Sequence, residues 1–198
     1  MIYTGVTMRP SRAPAGVDAE GPLCALLERH RAGDRTALNG FAVEIYPYVH
    51  RFVYRLIGAG RDQLHDDLVQ SSLEQICRAL DGFQGRARVT TFVFGICYRV
   101  IAKHRRAEHI RSFFRRTAED ACTPSPPADL DDLLDRERQL AQARQAVDGL
   151  DSAERAAFVL HELENLPLEE VAAALGCSTR TIKRRLRSAR VKLTGVGA

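Results

Sequence analysis

The residues most able to do chemistry gather near the end of the chain. Arg180, Lys183, Arg184, Arg185, Arg187, Arg190 and Lys192 lie between Ser178 and Leu193 with no acidic residue among them. Just upstream runs Leu168-Glu169-Glu170-Val171-Ala172-Ala173-Ala174-Leu175-Gly176-Cys177-Ser178. This predicts a short amphipathic helix that ends at a glycine, turns, and restarts at a serine cap into a basic helix. Such a pair is the pattern of a helix-turn-helix whose second helix enters a DNA major groove. Ser178 capping would also aim the partial positive charge of the helix start at phosphate. Ser178, Thr179, Arg180, Thr181, Lys183, Arg184 and Arg187 form the candidate contact set, because Arg and Lys read guanine edges or hold phosphates. The competing reading is a solvated charged helix. A run this one-sided, directly after a capped turn, argues against it.

A second basic element is predicted over Val89 to Arg106. Arg99, Lys103 and Arg106 share a face, and Thr91, Phe92, Phe94 and Tyr98 place hydroxyl and aromatic groups near its start. Basic residues interleaved with aromatics suit a single strand, where bases stack and charge tracks the backbone. Phe92 and Phe94 read equally as core residues. The preceding loop, Gly82 to Arg88, contains Phe83, Arg86 and Arg88 and suits capture of an unstacked base.

A third candidate is the polar face of a helix predicted from Leu64 to Leu80: Asp66, Asp67, Gln70, Ser71, Glu74 and Arg78. Paired carboxylates can mark a metal or acid–base site. Here no His or Cys completes one, and no glycine-rich phosphate loop is present. A protein-contacting face is the favoured reading, with a plain solvated face as the alternative. His30, His50, His65, His104, His109 and His161 have no metal spacing and are expected at the surface or at helix ends. No catalytic grouping, metal site or cofactor site is predicted.

These surfaces need elements to carry them. Leu38, Phe41, Ile45, Val49, Phe52, Val53 and Leu56 recur at steps of three and four, the signature of one buried helix face, and Gly58 and Gly60 stop it. Leu64, Leu68, Leu73, Ile76 and Leu80 mark the next helix, closed by Asp81-Gly82. Phe92, Val93, Ile96, Val100 and Ile101 mark a third. Thr123-Pro124-Ser125-Pro126-Pro127 cannot sit inside a helix. Helical periodicity resumes at Leu133, Leu134, Leu140, Ala143 and Val147. Asp151 with Glu154 suggests a capping box, after which Phe158, Val159 and Leu163 are expected to face inward. The prediction is an all-α chain: a disordered start (1–20), a helical domain (21–116), a flexible acidic linker (117–130) and a second helical domain (131–198).

The net charge of +4 hides an uneven distribution, with basic residues at 99–116 and 180–192 and acidic ones at 119–135 and 151–170. A polyanion meets such patches rather than their sum. Cys24, Cys77, Cys97, Cys122 and Cys177 have neither metal spacing nor an even count. All but Cys122 are expected to be small core residues. No stretch resembles a signal peptide or a membrane span, so a reduced, cytoplasmic protein is expected.

Taken together, these motifs resemble those of the extracytoplasmic-function (ECF) class of bacterial sigma factors, the small promoter-specificity subunits of RNA polymerase. The likeness rests first on Asp66-Asp67-Leu68-Val69-Gln70, and on Phe83 followed by Thr90-Thr91-Phe92-Val93 and Arg105-Arg106. It continues in Leu150 to Arg155, Phe158 to Leu163, Leu168 to Ser178, Thr181 to Leu186 and Ala189-Arg190. It covers Leu23 to Leu193 in order. The resemblance implies two helical domains, region 2 and region 4. Asp66, Asp67, Gln70, Ser71 and Glu74 would bind core polymerase. Phe83, Arg86, Arg88, Thr91, Phe92, Arg99, Lys103 and Arg106 would melt and hold the −10 element, and the Ser178–Arg187 set would read the −35 element. It also implies an anti-sigma factor as partner, no cofactor and no catalysis. The chain departs from the family pattern at Phe92 (usually Trp), Arg99 (often Asn) and Lys103 (often Asp), all in the −10-reading helix. A stand-alone helix-turn-helix regulator would account for the C-terminal part but leave the first domain unexplained. A nucleic-acid enzyme would lack its catalytic residues.

Overall fold

The structure is a computed structural model that describes residues 20–58, 61–115 and 145–194, with side chains as far as residue 111 in the middle segment. Residues 1–19 of the predicted disordered start, the linker with its proline cluster, Cys122 and the Leu133–Ala143 helix fall outside the described residues; Glu20, the last residue of that predicted start, is helical. Among the described residues every regular element is helical, as the periodicity predicts.

The first unit holds α1 (Glu20–Arg31), α2 (Arg35–Ile57), α3 (Asp62–Ala79), a 3-10 turn (Leu80–Gly82) and α4 (Val89–Arg115). Helix α2 is the spine. Its buried face carries Phe41, Ile45, Val49, Phe52, Val53 and Leu56, close to the predicted stripe. Asp34 caps it, accepting from the Thr36 amide at 2.8 Å, and Arg29 pairs with the same carboxylate at 2.7 Å. These hydrogen bonds, those from Thr36 first, hold the Asp34 carboxyl down at about 2. At the far end Gly58 adopts φ 85° and donates to the Tyr54 carbonyl. A side chain there would also collide with Asp148, because an added Cβ would stand only 2.8 Å from its carboxylate.

The second unit holds α5 (Ser152–Phe158), a π-helical turn (Val159–Leu163), α6 (Leu168–Leu175) and α7 (Thr179–Thr194). Asp151 caps α5 through the Ala153 amide. Glu154, the other member of the predicted box, takes a backbone hydrogen bond from Asp151 and also accepts from Lys192 at 2.6 Å and Ser188 at 2.7 Å on α7. Leu163, expected inside, is exposed: the π turn shifts the helical register and carries its side chain outward. Glycine closes α6 as predicted. Gly176 takes the left-handed conformation (φ 63°), and the Cys177 amide returns to the Ala172 carbonyl at 3.0 Å.

One apolar core runs through both units, from Leu23 and Phe41 to Val171, Ile182 and Leu186. Helix α6 lies on α4 and α5 touches α2. Two other expectations need correction. Cys24 is exposed, and Cys77 and Cys177 are only partly covered; Cys97 alone among the described cysteines is buried. Burial pushes the Cys97 thiol up to about 12. His65 is a core residue rather than a surface one, 6% exposed. It is held between the His50 carbonyl at 3.1 Å and Asp66 at 3.3 Å, with its ring edge-on to His50.

Candidate nucleic-acid and polymerase interfaces

Three polar surfaces emerge, each on a different helix. The first is α3. Leu68, Val69, Ser72 and Ile76 turn inward, which leaves Asp66, Asp67, Gln70, Ser71 and Glu74 exposed. Gln70 Nε2 donates to Glu74 at 3.3 Å, and Arg78 reaches the same carboxylate at 3.2 Å. This face is acidic, pre-ordered by i,i+4 pairs and open to solvent.

The second surface is α7. Ile182, Leu186 and Ala189 are buried against α5 and α6. Ser178 caps the helix as predicted, accepting from the Thr181 amide at 3.3 Å, and its hydroxyl meets that of Thr181 at 3.0 Å. The basic residues divide into two kinds. Arg190 pairs with Glu162, and Lys192 with Glu154 at 2.6 Å, so these two fasten α7 to its own domain. Hydrogen bonding from Lys192 and Ser188 holds the Glu154 carboxyl below its usual range. Arg180, Lys183, Arg184 and Arg187 are exposed and have no ion pair among the described residues. Their i, i+3, i+4, i+7 spacing puts them on one face. Sequence periodicity does not separate the two kinds, because Glu154 and Glu162 lie a whole helix away.

The third surface is built by α4 and the loop before it. Phe83, itself at the edge of the core, and the partly buried Phe92 stack tilted at 4.8 Å, and Phe94 lies deeper in the core beside Phe52. Phe83, Gln84, Arg86, Thr91, Phe92 and Arg99 line an open cavity of about 450 Å3, within the size range of small-ligand sites. Lys103 and Arg106 continue the basic strip, exposed, along α4. Helix α1, outside every predicted site, holds the loop at both ends. Arg31 donates to the Phe83 carbonyl. Glu20 accepts from the Val89 amide and from the Thr90 hydroxyl at 3.0 Å, capping α4. A carboxylate suits a helix start, where amides lack partners.

This third surface is not open on all sides. The second unit supplies part of its roof through Ala173 and Ala174. Glu170 accepts from the Thr91 hydroxyl at 2.5 Å and pairs with Arg88 at 3.1 Å. Thr91 is consequently 2% exposed. Further along the same interface, Glu164 reaches into the first unit. Its carboxylate is 2% exposed and is held by Arg51 at 2.9 and 3.2 Å and by Arg55 at 2.5 Å. Asn165 takes a left-handed φ of 54° beside it, a conformation Asn tolerates. Arg155 completes the joint. It donates to the Leu56 carbonyl at 3.0 Å and pairs with Asp148 at 3.0 Å, and Arg105 donates to that same carbonyl. Burial lowers the pKa of both Arg105 and Arg155 from the ordinary guanidinium value. Among the described residues no group of His, Cys, Asp and Glu could hold a metal, and no helix is long and apolar enough to cross a membrane.

Comparison with known proteins gives the same picture. Residues 42–110 match the family model for sigma-70 region 2, and residues 140–193 that for sigma-70 region 4. The chain is 30% identical over 158 residues to a probable RNA polymerase sigma-C factor of Mycobacterium bovis, covering 80% of this chain and 82% of that one. It is 27% identical over 172 residues to the ECF RNA polymerase sigma-E factor of Salmonella typhimurium, covering 83% and 88%. Among solved structures the fold is similar to the sigma factor RpoE in its complex with the anti-sigma factor NepR from Bartonella quintana. There the TM-score is 0.62 and the identity 23%, over 78% of this chain and 92% of that one. It is also similar to CnrH in complex with the cytosolic domain of CnrY, with TM-score 0.58 and 21% identity over 90% and 97%. Both sigma regions are present in order on one chain, which a stand-alone helix-turn-helix regulator does not account for. The chain belongs to the ECF class of the sigma-70 family of RNA polymerase sigma factors.

Proposed function

We propose that this sigma factor divides its work among the three surfaces as follows. The acidic face of α3, through Asp66, Asp67, Gln70, Ser71 and Glu74, grips core RNA polymerase. The cavity between the 83–88 loop and α4 takes an unstacked base of the −10 strand, with Phe83 and Phe92 as stacking platforms. Arg86, Arg88, Arg99, Lys103 and Arg106 neutralise the backbone there, and Thr91 supplies a hydroxyl. The α7 face of Arg180, Lys183, Arg184 and Arg187, with Ser178, Thr179 and Thr181 at its start, docks in the −35 major groove. The protein makes and breaks no bonds; binding free energy for the opened strand drives melting. It acts in the cytoplasm, and an anti-sigma protein restrains it; one solved neighbour is a sigma factor in complex with an anti-sigma factor.

The observation that carries this reading is the separation of kinds of surface. An exposed acidic face lies on α3, while, among the described residues, exposed cations without ion pairs lie on one face of α7 and along the strip of α4 and its preceding loop. The test is reconstitution: core polymerase with and without the chain, on a library of promoter fragments, with start sites mapped. Chain-dependent starts preceded by one shared pair of −35 and −10 elements are expected. Starts unchanged by the chain would refute the reading.

A further inference from the structure

Region 2 presents two places that hold an anion, and in this structure a carboxylate from region 4 fills each. Glu170 sits on Arg88 and Thr91; Glu164 sits between Arg51 and Arg55. Arg51 presents its Nε and Nη2 side by side to one carboxylate, and its guanidinium lies over the Tyr48 ring at 5.3 Å. That fork fits a phosphate as well as a carboxylate. The Ala173–Ala174 stretch of α6 covers the cavity of the strand-reading surface. Both seats lie on the face of region 2 that region 4 covers. Arg88 belongs to the strand-reading set; Arg51 and Arg55, on α2, lie outside it.

We propose that region 4 masks the strand-binding face by carboxylate mimicry, and that Arg51 and Arg55 form a further backbone-phosphate site. When region 4 swings away to its own promoter element, phosphates of the opened strand replace Glu164 and Glu170. The free chain is then a poor ligand for single-stranded DNA, although every group for binding it is already in place. Specific chemistry favours this exchange. The seats are matched to a planar or tetrahedral oxyanion, and the Ala-rich roof makes no polar demand when it leaves. This inference rests on the proposed −10 role of α4.

The experiment uses the full chain and a fluorescent single-stranded DNA of random sequence, with binding followed by anisotropy over a range of salt. Glu164→Gln with Glu170→Gln removes both mimics while keeping their shape. Glu28→Gln with Glu169→Gln makes the same change in net charge at residues outside both seats. Ala174→Gln, which is neutral, pushes α6 from Gly95 by bulk alone and serves if the first variant is unstable. The expected result is about tenfold or more tighter binding for both opening variants than for the wild type and the charge control. Adding Arg51→Ala and Arg55→Ala to the Glu164→Gln, Glu170→Gln variant should weaken binding. It should also make the slope of log K against log salt shallower by about 0.7 for each phosphate no longer neutralised. Opening variants that bind no better than the control overturn the masking. A gain that survives removal of Arg51 and Arg55 with the slope unchanged overturns the phosphate site. The reading beneath is judged separately in the holoenzyme: if Phe92→Ala leaves promoter opening at the wild-type rate, α4 is not the strand reader.

Discussion

Gly95 of α4 and Ala174 of α6 meet so closely that a Cβ at Gly95 would stand 3.2 Å from the Ala174 carbonyl oxygen. Backbone therefore touches backbone where regions 2 and 4 join. A glycine facing an alanine run permits that approach; a Cβ alone at position 95 asks the neighbouring backbone to give by a few tenths of an ångström, and a long side chain asks for far more. Gly95→Leu is expected to separate the regions while leaving each one folded, because the conflict lies only between them. Small-angle scattering should show a larger radius of gyration for the variant. An unchanged radius would mean that the joint tolerates the bulk and that the close approach of Gly95 and Ala174 does not hold it shut.

The basic residues of α7 make a second prediction with two opposite arms. Lys183→Ala or Arg184→Ala should weaken promoter binding. Removing a base-reading side chain costs about 1–3 kcal/mol and relaxes specificity at one position, whereas removing a phosphate-holding one weakens all sequences alike. Arg190→Ala should instead leave promoter affinity nearly intact, since Arg190 is engaged with Glu162. Equal losses across Arg184→Ala and Arg190→Ala, measured by gel shift with the holoenzyme at fixed salt, would contradict the division.

A third prediction concerns α1. Glu20 and Arg31 fasten the two ends of the 83–88 loop, one by capping α4 and the other through the Phe83 carbonyl. Glu20→Ala and Arg31→Ala should slow promoter opening several-fold while leaving core-polymerase affinity unchanged. Glu20→Asp should recover less than full activity, because the shorter side chain falls short of the amides. Permanganate footprinting of the −10 region reads the opening directly, and wild-type opening in both alanine variants would leave α1 with no part in positioning the loop.

The helices, their buried stripes, the Ser178 cap and the Gly176 turn are legible in the sequence because each follows from residues three or four apart. What stays hidden depends on distant partners. Glu164 and Glu170 read as ordinary acids in an acidic stretch, yet they meet Arg51 and Arg88 across long separations in sequence. Helix α1 has a short buried face of Leu23 and Leu27, and nothing in its periodicity announces that its polar ends reach the strand loop. His65 follows the polar pair Asp62-Gln63 by two residues in sequence, and only the packing of α2 against α3 encloses it. The same limit explains why Arg190 and Lys192 look equivalent to Arg184 until their partners on the neighbouring elements are known.

The Asp34 cap predicts a pH effect. Its folded-state pKa is depressed to about 2 from an ordinary value of 3.8. A depressed carboxylate contributes stability that is present above its unfolded pKa and is lost as pH falls through the folded one. Asp34→Ala should therefore lower the thermal midpoint near neutral pH. The gap from wild type should close as pH drops from about 4 toward 2. Calorimetry across that window checks it; a gap independent of pH would show that the charge of Asp34 is not what steadies the start of α2.

The last prediction addresses the acidic face of α3. Asp67, Gln70 and Glu74 fall at i, i+3 and i+7 and project from one side of the helix, with Leu68 and Ile76 buried on the other. The buried residues hold the fold whatever the protein does, so substituting them decides nothing. The exposed ones are diagnostic. Surface ion pairs such as Glu74 with Arg78 contribute at most about 1 kcal/mol to folding. Asp67→Arg with Glu74→Arg should thus leave the melting temperature nearly unchanged. Against a polymerase site that matches negative charge, the same pair of substitutions sets like charges together, a mismatch that costs several kcal/mol. Holoenzyme assembly and promoter-specific transcription should collapse together, while −35 binding through α7, remote from α3, persists. A double variant that assembles with core polymerase at wild-type affinity would remove α3 from the polymerase interface and leave the role of its acidic face to be assigned anew.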